Sequence, residues 1–203
     1  MKRITALILV CLIILSGCSA APKPALSEML GTFDNGAYTS PFGFVLETAE
    51  LHVFSESDLA AVNQIDAFTP EALTAQTDSG NAVLVFAAAP ADGSSLSISL
   101  FPAAGLPDDV RSADEYAAYG LPLISGKLES AGYTGVQVQQ ISVKLGDGEH
   151  PALLCSAEIT EGVPYHLLQI CFREGDWMGS LSLSSVESEE ALGALLARIT
   201  TTD

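Results

Sequence analysis

The sequence predicts an α+β domain, in which an antiparallel β-sheet of about six to seven strands carries helices packed on its faces. Residues 132–184 contain four alternating apolar and polar runs separated by turn sequences, which is typical of an antiparallel meander. Ser112 followed by Glu115 forms a capping box that predicts a helix before the meander. An apolar stripe at helical spacing after residue 188 predicts a helix behind it.

The first element is a signal sequence. Lys2 and Arg3 precede the mostly apolar residues 4–15, a run too short to favour a permanent membrane span. It ends in Leu15-Ser16-Gly17-Cys18, which resembles the lipobox of bacterial lipoproteins. The resemblance implies that residues 1–17 are a signal peptide and that Cys18 is acylated with diacylglycerol. An ordinary cleaved signal and an uncleaved anchor are the alternatives.

The predicted anchor places the protein at the cell membrane, facing the extracytoplasmic side. Two acyl chains give lasting attachment, because each buried methylene contributes about 0.8 kcal/mol and one chain alone is marginal. Residues 18–37, with Pro22 and Pro24, are predicted to be the lipidated cysteine and a flexible tether. Residues 38–203 are predicted to form a single domain.

The charge balance excludes one class of partner. The 203 residues include 8 Lys and Arg against 25 Asp and Glu, a net charge of −17, and loss of Lys2 and Arg3 with the signal makes it −19. Such a surface repels phosphate backbones, so nucleic acid is not an expected partner. The acidic residues occur in short clusters, which are typical of a solvated face.

The first half of the domain is predicted as strand, helices and hairpin. Residues 38–54 read as a strand, with Phe42, Phe44 and Leu46 on its buried face. Ser57-Asp58 and Thr69-Pro70-Glu71 indicate two helix starts. Residues 81–89 and 95–100 are predicted to pair as a hairpin, with these side chains sharing one face of the second strand: Leu96, Ile98 and Leu100.

The second half begins with the helix that Ser112 caps, which runs toward Ala131. Gly120 and Pro122 lie inside it, so a kink or two consecutive helices are expected. In the first meander strand, the apolar residues change parity between Val138 and Ile141, which predicts a bulge near Gln139-Gln140.

The last helix is predicted from about Ser188. Its apolar stripe consists of Leu192, Leu195, Leu196 and Ile199.

Cys155 and Cys171 are the two thiols expected in the mature domain. An extracytoplasmic compartment favours a disulfide between them. The strand pattern opposes it, because a hairpin loop at 161–164 that pairs Thr160 with Tyr165 puts the two sulfurs on opposite faces. A shift of one residue would place them side by side but would mix polar and apolar residues on one face.

The sequence contains no catalytic, metal-binding or cofactor-binding motif. His52, His150 and His166 are scattered, although the last two could approach each other across the ends of the sheet. The acidic turns at 147–149 and 174–176 could bind calcium weakly but are more typical of solvated turns. Three further residues could line a groove or lie in the core: Tyr165, Trp177 and Met178.

Several segments together resemble a group of uncharacterised lipoproteins from anaerobic gut Gram-positive bacteria. The segments are Tyr38-Thr39-Ser40 with Phe42-Gly43-Phe44, Phe54 to Leu59, Asp92 to Ser95 with Ile98, Gly148 to Ala152, Val163 to Ile170, and Gly175 to Met178. Their element order is similar to the PsbP/Mog1-like fold, which implies an α/β/α sandwich. Leu51-His52 departs from the Gly-Trp usual at that point.

The family implies no established activity, and PsbP-like folds elsewhere act mostly as accessory or binding modules. The function expected from the sequence is therefore a lipid-anchored binding or accessory module of the cell envelope, with an unknown envelope protein or a small ligand as its partner. A cell-envelope hydrolase and a passive structural lipoprotein are the alternatives. No enzyme activity and no cofactor are predicted.

Overall fold

The computed structural model describes residues 25–159 and 162–202, where the chain forms an α+β fold of two antiparallel sheets and four α-helices. Cys18 and the predicted signal peptide lie outside these residues. The helices are α1 (Glu56–Asn63), α2 (Pro70–Asp78), α3 (Ala113–Ser130) and α4 (Glu189–Leu196). The strands are β1 (Thr32–Asp34), β2 (Ala37–Ser40), β3 (Phe44–Glu47), β4 (His52–Val53), β5 (Val83–Ala89), β6 (Ser95–Pro102), β7 (Thr134–Leu145), β8 (Gly148–Ile159), β9 (Val163–Glu174), β10 (Trp177–Ser185) and β11 (Ile199–Thr201).

Seven strands form the large sheet, in the order β4-β5-β6-β10-β9-β8-β7. Strands β7 to β10 are the predicted meander, and β5 and β6 are the predicted hairpin. Strand β10 lies beside β6, so the meander and the hairpin join in the middle of the sheet. The predicted sheet of about six to seven strands is therefore confirmed.

Two helices cover one face of the large sheet, which we call the helix face. Helix α3 lies over β7, β8 and β9, and its Ile124 and Leu128 pack with Leu153 and Tyr165. Helix α1 packs Leu59 against β5 beside it.

The opposite face is covered by a second sheet, β1-β2-β3-β11, together with α2 and α4. We call it the small-sheet face. Phe44 and Leu46 of β3 and Leu192 of α4 pack there against Leu181 of β10. The sequence did not predict this second sheet.

The prediction of one strand over residues 38–54 is wrong. Strands β2 and β3 form a hairpin that belongs to the small sheet, and the short β4 pairs with β5 at the edge of the large one. The chain turns at Gly43, whose φ of +81° suits glycine and disfavours other residues. Phe44 and Leu46 are buried as predicted.

The predicted bulge at Gln139-Gln140 is also wrong. Strands β7 and β8 pair without interruption from Gln137 to Leu145, and the register shifts between Thr134 and Gln137 instead. Val138 packs toward the helix face, whereas Val143 and Leu145 pack toward the small-sheet face. The apolar parity changes because the strand is covered on different faces along its length.

The β8–β9 hairpin has a different register from the predicted one. Val163 pairs with Ile159, and Gly162 has a φ of +76°, so that Tyr165 faces Ala157. Cys155 and Cys171 consequently lie on the same face and are both buried. Cys155 pairs with Leu167, four residues before Cys171, and the two thiols are not joined by a disulfide.

The helix ends follow their caps. Thr69, Ser112 and Ser188 are the N-caps of α2, α3 and α4 as predicted, but Ser55 caps α1, in place of the predicted Ser57-Asp58. Helix α3 is a single helix of 18 residues that includes Pro122. Helix α4 ends at Leu196, and Ile199 lies in β11.

The fold begins before the predicted domain boundary. A 3-10 turn at Leu26–Met29 buries two of its side chains, and β1 precedes Tyr38. The Tyr38 hydroxyl donates a hydrogen bond to the Leu30 carbonyl (2.8 Å), which ties this segment to the small sheet. Folded structure therefore extends into the predicted tether, residues 18–37.

Candidate functional site

A groove of about 330 Å³ opens on the small-sheet face of the large sheet, next to the start of α4. The small sheet and α4 cover the other end of this face, so the first half of β7 and the matching ends of β8 and β9 stay accessible. The lining residues are Gln137, Val138, Gln139, Leu154, Cys155, Ser156 and Glu189.

Strand register places a row of polar side chains that begins in the groove, at Gln137 and Ser156, and continues beyond it. Gln137 pairs with Ser156, Ser156 pairs with His166, and His166 pairs with Ser185 on four consecutive strands. Directly opposed residues have Cβ atoms about 4.5 to 5.5 Å apart on the same face. We call these four residues the polar row, and three of its members are at least partly accessible.

Helix α4 supplies the Glu189 carboxylate to the groove, and Glu190 follows it in the chain. Ser188 caps the helix, and its hydroxyl accepts a hydrogen bond from the Ala191 N–H. The pKa of Glu190 is lowered by hydrogen bonds from its own backbone N–H and the Ser188 hydroxyl, and also by the nearby His166. The groove therefore presents amide and hydroxyl groups beside the Glu189 carboxylate, and the His166 imidazole lies next to Ser156, which suits hydrogen bonding to a polar or cationic group.

Ser156 of β8 pairs directly with His166 of β9, and Glu190 is close to the imidazole. Their residue types are those of a nucleophile, a base and an orienting carboxylate. However, β8 is paired on both sides, by β7 and β9, so its backbone N–H groups are engaged in the sheet. An oxyanion site next to Ser156 would have to draw donors from elsewhere.

The other predicted site residues lie apart from this groove. His150 contacts Phe172, with ring centroids 5.0 Å apart, and His52 lies beside Phe54 on the far edge strand. Ser156, which pairs with His166, is six residues along β8 from His150, so these two histidines are about 20 Å apart and do not meet. Tyr165, Trp177 and Met178 are buried in the core.

The acidic turns at 147–149 and 174–176 do not assemble into a larger cluster. Among the described residues, no three His, Cys, Asp or Glu side chains are grouped so that they could hold a metal ion. Cys18, the predicted lipidation site, lies outside the described part of the chain.

The sequence reasoning missed the groove, although it considered His166. The signal was the polar residues at core-facing parity: Gln137, Gln139, Ser156 and His166 all share the parity of the small-sheet face. Where that face of a strand is not covered by other elements, its residues are polar. This pattern can be recognised once the register is known.

A second groove, of about 440 Å³, lies between the 3-10 turn at Leu26–Met29 and the start of α2. Trp177 forms part of its wall and is itself buried. Over residues 25–159 and 162–202, none of the helices is long and apolar enough to cross a membrane.

No protein-family model and no curated protein matches the sequence. Cyanobacterial PsbP (CyanoP) from Synechocystis is 11% identical, with a TM-score of 0.45 over 91% of this chain and 98% of that one. LpqN, described as involved in cell envelope biogenesis of Mycobacterium tuberculosis, is 14% identical, with a TM-score of 0.38 over 84% of this chain and 87% of that one.

A protein of unknown function from Pseudomonas aeruginosa is 15% identical, with a TM-score of 0.33 over 50% of this chain. The chain spans 62% of the length of that protein. PsbP, whose fold the sequence resembles, is thus among the similar structures. The fold described above rests on the strand order and register of this chain itself.

Proposed function

We propose that this protein is a binding or accessory module of the bacterial cell envelope, anchored through acylated Cys18 and binding its partner or ligand in the groove beside α4. The observation that carries the proposal is that three members of the polar row, Gln137, Ser156 and His166, form consecutive cross-strand pairs and are at least partly accessible, whereas Ser185 at the end of the row is buried. Polar side chains without an apolar cover on a rigid sheet are available for recognition.

The anchor has its own support and its own test. Lys2, Arg3, the apolar run and the lipobox-like tetrapeptide ending in Cys18 agree with one another. Metabolic labelling with a fatty-acid analogue should modify the full-length protein, and Cys18→Ala should abolish the label. Labelling that persists in Cys18→Ala would exclude this anchor.

Binding through the groove is tested by photo-crosslinking in intact cells with the full-length protein as bait. His166→Ala should remove the crosslinked partner, whereas His52→Ala, on the far edge of the sheet, should leave it unchanged. Equal capture by both variants would overturn the assignment of the groove. If the native protein captures nothing, the passive structural role gains support over the binding role.

Hydrolysis is the second candidate function, because Ser156 of the groove pairs with His166, and His166 in turn lies near Glu190. Binding is favoured over it, since the N–H groups around Ser156 belong to a central strand. A fluorophosphonate probe should label the native protein but not Ser156→Ala if the candidate is right. Absence of labelling in the native protein would exclude the serine hydrolase function.

A further inference from the structure

Within residues 25–159 and 162–202, no strand pairs with one long edge of the large sheet. Strand β7 forms this edge, spans 12 residues and is mostly exposed along its length. Between Thr134 and Lys144 it carries no charged residue and no proline. Natural edge strands are normally shortened, charged or covered, because their unpaired N–H and C=O groups are a template for another strand.

The hairpin geometry identifies which backbone groups face outward. Strands β7 and β8 are joined by the two-residue loop Gly146-Asp147, and such a loop closes on a hydrogen-bonded pair, here Leu145 and Gly148. Hydrogen-bonded and non-hydrogen-bonded pairs alternate along an antiparallel ladder. The N–H and C=O groups of Val138, Gln140 and Ser142 therefore point away from β8.

Pro151 supports this alternation. It pairs with Ser142, and it has no N–H to offer. At a non-hydrogen-bonded position its nitrogen faces away from β7, so the β7–β8 ladder loses nothing. The β8–β9 pairing begins one residue later, at Ala152.

The edge adjoins the groove. Gln137 and Gln139 of β7 form one wall of the groove, and Glu189 of α4 contributes a carboxylate to its lining. A strand added to β7 would lie about 4.8 Å further out and would point alternate side chains to the small-sheet face, next to these glutamines. Backbone hydrogen bonds would then give affinity, and the groove would select one of the added side chains.

Charge decides between the possible occupants. The whole chain carries −17, so a second copy would bring a like charge, whereas a cationic segment is attracted by the whole surface and by Glu189. We propose that an extended, lysine- or arginine-bearing segment of a partner protein adds to β7 as an extra strand, with a basic side chain directed to the groove. This inference rests on the proposed function, whose partner it describes chemically.

The test uses the full-length protein in detergent and a fluorescent nine-residue peptide that alternates valine and threonine, with two lysines on the threonine face. A matched peptide has glutamates in place of the lysines. Fluorescence anisotropy should detect binding of the lysine peptide and at least about tenfold weaker binding of the glutamate peptide. No binding of the lysine peptide, or equal binding of both, would overturn the proposal.

Two protein variants locate the site. Gln140→Pro removes an outward N–H and places a ring on the edge without breaking the β8 ladder, and it should weaken binding about tenfold or more. Gln140→Ala keeps the N–H and should bind as the native protein does. Equal binding by the two variants would contradict strand addition. If Gln140→Pro unfolds, as judged by circular dichroism, then Ser142→Pro with Ser142→Ala repeats the comparison.

A third variant tests the role of the groove. Glu189→Gln should weaken binding of the lysine peptide several-fold and should not weaken binding of the glutamate peptide. Unchanged affinity for the lysine peptide would exclude the groove as the specificity pocket. The crosslinking experiment separates the two proposals. Equal capture of a partner by Gln140→Pro and Gln140→Ala would contradict strand addition but would leave the proposed binding function supported.

Discussion

Six serines form opposed pairs in the middle of the large sheet, on the helix face. Ser95 and Ser184 join their hydroxyls at 2.6 Å, and Ser99 and Ser180 do so at 2.9 Å. The central pair is Ser97 with Ser182, and the Ser182 hydroxyl has no hydrogen-bond partner among the described residues although it is buried. Chemically identical residues in adjacent positions therefore contribute differently to stability.

This difference predicts opposite outcomes for two alanine substitutions. Ser182→Ala removes a buried hydroxyl that forms no hydrogen bond, so the free energy of unfolding should stay constant or rise slightly. Ser180→Ala leaves the buried Ser99 hydroxyl without its partner and should cost about 1 to 3 kcal/mol. Urea unfolding of both variants is the measurement, and equal losses would contradict the distinction.

His150 makes stability depend on pH near neutrality. Burial beside Phe172 lowers the pKa of its imidazole, because a charged ring is less favourable there than in water. The unfolded chain therefore binds this proton more readily, and the contribution of His150 to stability falls as the pH drops through the ordinary histidine pKa of about 6.5. Carboxylates such as Glu190, whose pKa is lowered, lose their contribution only in a more acidic range.

Replacement of His150 by glutamine should flatten this dependence. Thermal unfolding midpoints at pH 7.5 and 5.5 should differ less in His150→Gln than in the native protein. His52→Gln is the control, because His52 is exposed. An identical pH dependence in His150→Gln and the native protein would show that His150 does not titrate in this way.

The site could be predicted only in part from single residues. His166 lies beside the groove, paired with Ser156, whereas the sequence suggested that it could approach His150, because both flank turns of the meander and their register was unknown. Cys18 stays a prediction that rests on the lipobox-like tetrapeptide. What sequence reasoning lacked was the pairing of Gln137 with Ser156 and of Ser156 with His166, which depends on contacts distant in the chain.

Elements with local signals were predicted well. Thr69, Ser112 and Ser188 cap their helices through hydrogen bonds within one turn, so the sequence alone identifies them. The meander was likewise visible in its turn residues. The small sheet was not, because its strands are only three or four residues long and β11 pairs with the distant β3.

Strand β7 illustrates the limit of period-two reasoning. The prediction of a bulge from the change of apolar parity rests on the assumption that a strand buries the same face throughout. Helix α3 instead covers one face near Val138, and the small sheet covers the other near Val143. The alternation of apolar and polar residues shows which face of the strand is covered at each point, and this depends on how the whole molecule packs.

The contact between the two sheets depends on one glycine. A Cβ atom at Gly179 of β10 would overlap with the ring of Phe42, which stacks on Phe172 at a centroid distance of 5.4 Å. Gly179→Ala should therefore displace Phe42 and destabilise the fold by about 1 to 3 kcal/mol. The added alanine should cost less in a Phe42→Ala background, and an unchanged cost in that double variant would contradict the stated cause.

Gly193 provides the matched control in α4. A Cβ atom there would meet no atom within 4 Å, and the residue lies inside the helix. Gly193→Ala should consequently stabilise the protein by about 0.5 to 1 kcal/mol, because alanine loses less backbone freedom on folding than glycine does. Opposite signs for the two glycine substitutions would separate the steric effect from the entropic one.

At the scale of the whole molecule, acidity is the dominant property. The chain carries 25 Asp and Glu residues against 8 Lys and Arg. Arg198 lies 3.9 Å from Glu50, but the Glu50 side chain is exposed, and pairs with an exposed partner contribute little. Unbalanced negative charge opposes the compact state through self-repulsion, while it also keeps the protein dispersed and attracts cationic partners.

Salt should therefore stabilise the protein. Raising the ionic strength from 0.01 M to 0.15 M shortens the screening length from about 30 Å to about 8 Å, which weakens repulsion between carboxylates across the surface. A gain of about 1 kcal/mol would raise the unfolding temperature of a chain of this size by about 2 to 4 °C. Sodium chloride and choline chloride should act equally, because the effect is screening and not the binding of a particular cation. A constant or falling unfolding temperature would mean that the carboxylates are too widely spaced for repulsion to matter, and attraction of a basic segment would then depend on Glu189 and its immediate neighbours alone.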